Sequence, residues 1–269
     1  MAQKRFVSDV SHELRTPLTT IRMASELIYD SRDQLDPGSA RSAELLQAQI
    51  DRFEVLLADL LEISRIDAGA AQLDIEDVDM VALAQRVVHD TEPLAIKKAV
   101  EVKVVPLSGP FTANFDARRI ERILRNLVSN AIDHAEAKPV NIIIKGSPTA
   151  LAVVVRDHGV GLSAEQCSHV FDRFWRGDPS RARTTGGTGL GLSISQEDAR
   201  LHAGDLDVWG ALGEGTAFRL ILPRFAEEPV GEPPLPVDGN LIDEILVRGT
   251  ATTRAERRLA SRELVLVGS

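Results

Sequence analysis

From Phe6 to Ile28 the apolar residues recur at helical spacing: Val7, Val10, Leu14, Leu18, Ile21 and Ile28 step by three or four, with Ser25 filling the one gap. This is a seam of coiled-coil type. Pro17 interrupts it, and a bend is expected between Glu13 and Pro17, because proline loses one helical hydrogen bond and crowds the preceding turn. Ser31–Ser39 contains Asp36-Pro37-Gly38 and reads as a turn. A second seam follows at Leu46, Ile50, Phe53, Leu57 and Leu60, ending near Asp67 with Gly69 as the stop. Two helices of about 28 residues, each about 42 Å long, joined by a short turn make an antiparallel hairpin. Such a hairpin cannot bury a wide apolar face alone, so pairing into a four-helix bundle in a homodimer is the simplest expectation.

After Asp79 the pattern changes. Met80–Thr91 reads as a helix, Val100–Val105 as a strand, and Phe115–Ala135 as a helix opened by Asp116. Val140–Lys145 and Leu151–Arg156 are β-branched strands around a turn at Ser147-Pro148. Ser193–His202 reads as a helix stopped at Gly204, and Leu206–Gly210 with Thr216–Pro223 as a closing hairpin around Gly213 and Gly215. Together these predict an α+β chain: a helical hairpin over 1–69, a linker over 70–79, and an α/β sandwich over 80–224 with helices on one face of one sheet. Residues 225–269 begin rich in proline and acid and read as a flexible tail. Within it Leu241–Val247 and Ala255–Val267 have the pattern of a short helix and a strand, with no evident chemistry.

Composition narrows the classes. Of 269 residues, 43% are apolar and 26% charged, as in ordinary globular proteins. Lys and Arg number 31 against 40 Asp and Glu, a net charge of -9, which argues against a nucleic-acid partner. The single cysteine, Cys167, excludes an internal disulfide and suits a reducing, cytoplasmic setting. No apolar run approaches the roughly 18 residues of a membrane span, and Met1–Phe6 does not open a signal peptide.

Five groups of residues are capable of chemistry. His12 lies on the first helix away from the seam, and alone it is an ordinary surface histidine. Glu13 beside it and Thr16 one turn on change that reading. A neutral imidazole offers a lone pair at pH 7, an adjacent carboxylate accepts the other ring proton, and a hydroxyl holds a water on the same face. Asn126, Asn130 and Asp133 share one helical face, which is either a polar surface or a source of amide oxygens for a hard cation. Asp157-His158-Gly159-Val160-Gly161 ends a strand. It is either a tight turn or a carboxylate suited to an exocyclic purine amine, with glycines that admit a ligand to the backbone. Gly187-Thr188-Gly189-Leu190-Gly191-Leu192 opens a helix, as phosphate-cradling turns do, but has neither dinucleotide-fold nor P-loop spacing. Between the last two lie Phe171, Phe174 and Trp175 with Arg173, Arg176, Arg181 and Arg183. They form a loop with hydrophobic anchors or a mobile lid whose arginines meet phosphates.

In their order and spacing these segments resemble the boxes of sensor histidine kinases. Phe6–Leu18 is similar to the H box, Asn126–Ala131 to the N box, Asp157–Gly161 to the G1 box, Phe171–Phe174 to the F box and Gly187–Leu192 to the G2 box. Gly213–Phe218 matches the closing strand turn of that fold. Ile28–Asp30, Ala131–Ala135 and Glu197–His202 further resemble actinobacterial MtrB-type kinases. The resemblance covers residues 4–224. It implies the histidine kinase, gyrase and Hsp90 type of ATP-binding sandwich, and a dimer. It also implies autophosphorylation of His12 by ATP with Mg²⁺, and transfer of the phosphoryl group to an aspartate of a response regulator. Glu13 is then the general base, and Glu13 with Thr16 also serves a phosphatase activity. Asn130, with Asn126, holds Mg²⁺ and phosphates. Asp157 with Gly159 and Gly161 receives adenine. Phe171, Phe174 and Arg176 belong to the lid hinged at Gly187, Thr188, Gly189, Leu190 and Gly191.

The chain departs from that pattern at two positions. Asp133 stands where many members carry a cation that meets phosphate, and His134 stands at an ATP-site position that is often tyrosine. A second acid near a triphosphate repels it unless compensated. Two further readings therefore stay open: an ATP-binding pseudokinase that dimerises and docks a regulator, and a phosphatase-biased fragment. A gyrase- or chaperone-type ATPase fits less well, since such proteins lack a hairpin bearing His-Glu-x-x-Thr-Pro. With eleven residues before His12, the chain reads as the cytoplasmic catalytic core of a membrane receptor.

Overall fold

The computed structural model describes residues 17–177, 188–225 and 230–248. The chain divides into two compact units, Met1–Gln72 with Val170–Glu197, and Leu73–His169 with Asp198–Ser269.

In the first unit, residues 17–30 (α1) are helical from Pro17 onward, and the expected bend before it lies outside the described residues. A single 3-10 turn, Arg32–Gln34, leads to α2, Pro37–Asp67. Asp36-Pro37-Gly38 starts this helix instead of forming a free-standing turn: the Asp36 carboxylate accepts from the N–H groups of Gly38 and Ser39, and Pro37 takes the first helical position, where its missing N–H costs nothing. Gly69, at φ +58°, ends α2. Its N–H donates to the Ile66 carbonyl and that of Ala70 to Arg65, the two bonds of a Schellman cap. The two helices run antiparallel, since Arg22 meets Glu54 at 3.1 Å and the Ser25 hydroxyl meets Gln47 at 2.9 Å. Leu18, Ser25, Ala43 and Ile50 are buried, while Ile21, Ile28, Leu46, Phe53 and Leu60 remain exposed on one chain.

The second unit is built on a five-stranded sheet of order β2-β4-β5-β7-β6: Val102–Pro106, Val140–Gly146, Ala150–Asp157, Gly215–Pro223 and Asp205–Ala211 respectively. β2 and β4 are parallel and the other neighbours antiparallel. A two-stranded sheet of β1 (Glu76–Asp79) and β3 (Thr112–Phe115), not expected from the pattern, stands apart. α3 (Met80–Lys98) packs on α4 (Ala117–His134) and on β2, and α4 lies against β4 and β5. α3 continues past the expected end at Thr91 and through Pro93. The proline forfeits only the bond to the carbonyl of His89, a solvent-facing residue, and the helix stops at Ala99 in the left-handed region, φ +54°. Asp116 caps α4 through Arg118 and Arg119, and the face of Ile120, Ile123, Leu124, Leu127, Val128 and Ile132 is buried. α5 (Ala164–His169) is short and packs on β6. α6 (Gly191–Leu201) contains the division between the units.

Two features of the structure bear on the expected domain layout. The first concerns the block 80–224, from which Val170–Glu197 separates to group with the hairpin. Leu190 and Ile194 pack with Ile63 and Leu56, the Thr188 hydroxyl donates to Asp59 at 2.8 Å, and Arg173 is paired with Asp67 at 2.7 Å. The second concerns the flexible tail. The short helix expected at Leu241–Val247 is present as residues 239–248 (α7), capped by Asp238, but it is packed: Leu235 and Ile242 are buried with Ile143, Ala152, Val154 and Ala217 of the sheet. The sheet is therefore covered on both faces, and this is why β5 is buried along its whole length instead of alternating.

Candidate functional site

The second unit assembles the Asn126 face and the Asp157 turn. α4 carries Asn126 and Asn130 one turn apart, with Asn130 Nδ2 3.4 Å from Asn126 Oδ1, so both amides lie on the same side of the helix. Asp133 also follows on α4, and its carboxylate is met by Lys98 Nζ of α3 at 2.9 Å. The expected excess of negative charge at Asp133 is thus compensated, by a lysine that the sequence reading did not single out.

Asp157 ends β5, the middle strand of the sheet, and is 3% exposed. Burial pushes its carboxyl above the usual carboxylate range. The Gly159 N–H, donating to Oδ1 at 2.9 Å, opposes this, as do the positive charge of Arg156, His134 and the backbone N–H of Thr216. The glycines of the turn are demanded by contact. A Cβ on Gly159 would sit 1.7 Å from the carbonyl oxygen of His134, and one on Gly161, at φ +70°, would sit 1.9 Å from that of Ala211. Through Gly159 the turn lies flush against the end of α4, where Val160 N–H donates to the His134 carbonyl at 3.3 Å. The His134 side chain is exposed, and its backbone is what touches the turn.

A buried polar network sets the start of α4. Asp198 is fully buried and receives Arg119 at 2.7 Å and Arg122 through both Nε and Nη2. His202 Nε2 accepts from the Asp116 N–H at 3.1 Å, while Nδ1 lies 2.7 Å from the Asp198 carbonyl. An amide can only donate and a carbonyl only accept, so the ring is neutral with its proton on Nδ1. Burial accordingly lowers the pKa of His202.

The first unit holds the other candidates. Phe171 is half-buried and Phe174 is 59% exposed, with φ +65°. Phe174 N–H donates to the Gly189 carbonyl at 2.8 Å, and Gly189, at φ +75°, would carry a Cβ 3.0 Å from the Phe174 backbone. The Thr188 hydroxyl accepts from Leu190 N–H at 3.2 Å and Gly191 begins α6, so Thr188–Gly191 form a hydrogen-bonded entry to that helix. Arg176 is half-buried. His12, Glu13, Thr16 and Gly187 lie outside the described residues.

Sequence reasoning missed Lys98, Arg156, Thr216 and Asp243, whose carboxylate lies 2.8 Å from Arg156 Nη2. Thr216 stood in a quoted motif and faces Asp157 across the β5–β7 pair. The other three become visible only when distant segments meet. Among the described residues no group of three His, Cys, Asp or Glu is placed to hold a metal ion, and no helix is long and apolar enough to cross a membrane.

Residues 2–69 match the His Kinase A (phospho-acceptor) domain, and residues 115–226 match the family of histidine kinase-, DNA gyrase B-, and HSP90-like ATPases. The chain is 55% identical over 235 residues to the sensor histidine kinase MtrB of Mycobacterium tuberculosis, covering 87% of this chain and 41% of the relative. It is 34% identical to the signal transduction histidine-protein kinase AfsQ2 of Streptomyces coelicolor, over 92% of this chain and 46% of the relative. The chain thus spans less than half the length of these two curated relatives. The crystal structure of full-length ShkA in complex with AMPPNP superposes with a TM-score of 0.71 at 26% identity, over 86% of this chain and 47% of that one. A helical hairpin matching the phospho-acceptor domain, followed by an α/β sandwich matching the ATPase domain, places the chain in the sensor histidine kinase family.

Proposed function

We propose that the chain autophosphorylates on His12 with ATP and passes the phosphoryl group to an aspartate of a response regulator. The observation that carries this reading is Asp157, a buried carboxylate at the end of the middle strand, beside two glycines whose side-chain space is taken by backbone. That arrangement presents a carboxylate able to accept a hydrogen bond from a purine amine, on a turn that its glycines let pack flush against the end of α4. The Asn126–Asn130 face supplies neutral amide oxygens. This fits Mg²⁺, which commonly keeps one or two protein oxygens together with phosphates and water, and when bound the ion would neutralise charge on the phosphates. Asn130, with Asn126, would hold it.

The reaction is two displacements at phosphorus. The imidazole lone pair of His12 attacks the γ-phosphorus, the bond to the bridging oxygen breaks, ADP leaves, and Glu13 accepts the proton from the other ring nitrogen. A regulator carboxylate then attacks the same phosphorus and the N–P bond breaks, restoring the imidazole. Thr16, downstream of His12 in the same segment, positions water for hydrolysis of the phosphorylated regulator. Phe171, Phe174 and Arg176, with the entry to α6 at Thr188–Gly191, are the lid elements. The exposed Ile21, Phe53 and Leu60 on the hairpin support a homodimer in which a second hairpin completes a four-helix bundle. The pairing of Asp133 with Lys98 removes the charge argument for a pseudokinase.

Incubation with γ-labelled ATP and Mg²⁺ tests the reading. Acid-labile, alkali-stable label on the chain, absent in His12→Ala while ATP binding persists, is the expected result. Label that survives in His12→Ala overturns it.

A further inference from the structure

The face of the sheet turned away from α4 carries an arrangement that the reaction above does not use. Successive side chains of β5 alternate, so Asp157 and Arg156 project to opposite faces. Ile143 and Ala217 are the cross-strand neighbours of Val154 and Arg156, and with Val154 and Ala152 they form the apolar floor on which Leu235 and Ile242 lie. Arg156 belongs to this outer face. It is 1% exposed, and its guanidinium is the centre of a cross-link. Nη1 donates to the carbonyl of Asp157 at 2.6 Å and Nη2 to the carbonyl of Glu214, in the β6–β7 turn, at 3.1 Å. Its counter-charge comes from α7: Asp243 Oδ2 lies 2.8 Å from Nη2 and Oδ1 3.3 Å from Nε. The same Oδ1 is 3.1 Å from Nε2 of His158, the residue between Asp157 and Gly159. Gly239 brings the start of α7 in under this group. A Cβ there would sit 2.4 Å from the Trp209 ring, over which Arg156 stacks at 5.1 Å.

We propose that residues 230–248 are an intrachain clamp on the adenine-reading turn, with Asp243 as a positioning residue that fixes Asp157 through Arg156 and His158. The proposal rests on the reading of Asp157 given above. A buried guanidinium keeps its geometry only while its charge is matched, and bidentate pairing holds its plane. With Asp243 in place, the Asp157 main chain is gripped from one side by Arg156 and His158 on its other flank is held by the same carboxylate. The Asp157 side chain is thereby held on the α4 face. The clamp acts on recognition of the base and leaves the phosphate chemistry to other residues.

The test compares ATP with purine riboside triphosphate, which lacks the exocyclic amine, on the full chain. Wild type should bind ATP more tightly than the analogue. Asp243→Asn, similar in volume but uncharged, should weaken ATP binding about fivefold, the scale of one ordinary hydrogen bond weakened at the base. It should leave analogue binding and kcat at saturating ATP unchanged, so that the loss appears in KM. Asp243→Glu should recover part of the preference. If Asp243→Asn fails to fold, His158→Ala, which keeps the buried pair, is measured against the same two nucleotides with the same expectation. Equal weakening of both nucleotides, unchanged affinities, or a fall in kcat at constant KM overturns the clamp. A wild-type chain that binds neither nucleotide overturns the reading of Asp157 itself, and the clamp with it.

Discussion

Lys98 Nζ lies 2.9 Å from the Asp133 carboxylate, joining the last turn of α3 to the last turn of α4. The pair is partly exposed, so its worth to stability is small, about 0–1 kcal/mol. Its charge matters more for a triphosphate. Replacing Lys98 by methionine should weaken Mg-ATP binding about two- to fivefold at low ionic strength, an effect that shrinks with added salt. Lys98→Met with Asp133→Asn should return the affinity to the wild-type value. Titration calorimetry at two salt concentrations measures both, and an unaltered affinity in the single variant would show that Asp133 is remote from the phosphates.

The contact between Gly159 and the His134 carbonyl gives a second prediction. A methyl group at Gly159 has backbone on its path at 1.7 Å, so the turn and the end of α4 must separate. Gly159→Ala should cost about 1–3 kcal/mol of stability, the usual range for overpacking, and raise the ATP Kd at least about tenfold. Ser163→Ala, two residues beyond Gly161, serves as the control and should bind ATP normally. Thermal melting and nucleotide titration read the two effects separately.

His202 makes stability depend on pH. Its pKa is lowered in the folded state, so below the ordinary histidine value of about 6.5 the unfolded chain binds a proton that the folded chain does not. Stability is then complete above that value and falls as pH drops through it, by at most about 1.4 kcal/mol per pH unit for this one group. Protonation would also put an N–H against the Asp116 amide. The melting temperature should fall between pH 7.5 and pH 5.5 more steeply in the wild-type chain than in His202→Asn, which does not titrate there. Parallel slopes would show that the ring takes up no proton in the unfolded state that it lacks in the folded one.

The outer layer of the sheet predicts the effect of shortening the chain. Ending it at residue 226, where the ATPase-family match closes, uncovers Ile143, Ala152, Val154 and Ala217 and leaves Arg156 without Asp243. Such a protein should melt lower and associate, because an apolar β surface with a buried cation at its edge is exposed. Ile242→Asp, in the full chain, should reproduce most of the destabilisation, on the order of 3 kcal/mol or more. Light scattering during a thermal ramp distinguishes the outcomes, and a truncated chain as soluble and stable as the whole would contradict the packing.

What the sequence revealed follows from how local each signal is. α4 was legible because the cap at Asp116 and the 3.6-residue spacing of Ile120, Leu124, Leu127 and Ala131 lie in one segment. The turn after Asp157 was legible because its glycines sit beside the residue they serve. β1 and β3 were not, since each has only four residues and Glu76–Asp79 buries only Val78. Asp36-Pro37-Gly38 fits a turn and a helix start equally, and only the chain beyond it decides. In the segment after Phe225 the helix at Leu241–Val247 was legible, but its packing was not, because proline and acid describe a linker by composition. Its burial depends on Leu235 and Ile242 finding a floor assembled from three separate strands, at Ile143, Ala152 with Val154, and Ala217. Lys98 and Asp243 were hidden for the same reason: a lone charge has no meaning until its partner is placed.

The alternation of β5 has a consequence for which sequence changes the strand can absorb. Arg156 and Asp157 are adjacent in the chain, yet each meets a different layer. Inserting or deleting one residue within the strand would exchange their addresses. The aspartate would arrive opposite Asp243, and the arginine would point toward the asparagine face of α4. The strand therefore carries two interleaved messages, one on odd and one on even positions, and a frame error of a single residue garbles both at once. Substitution can edit either message separately, whereas a change in strand length cannot.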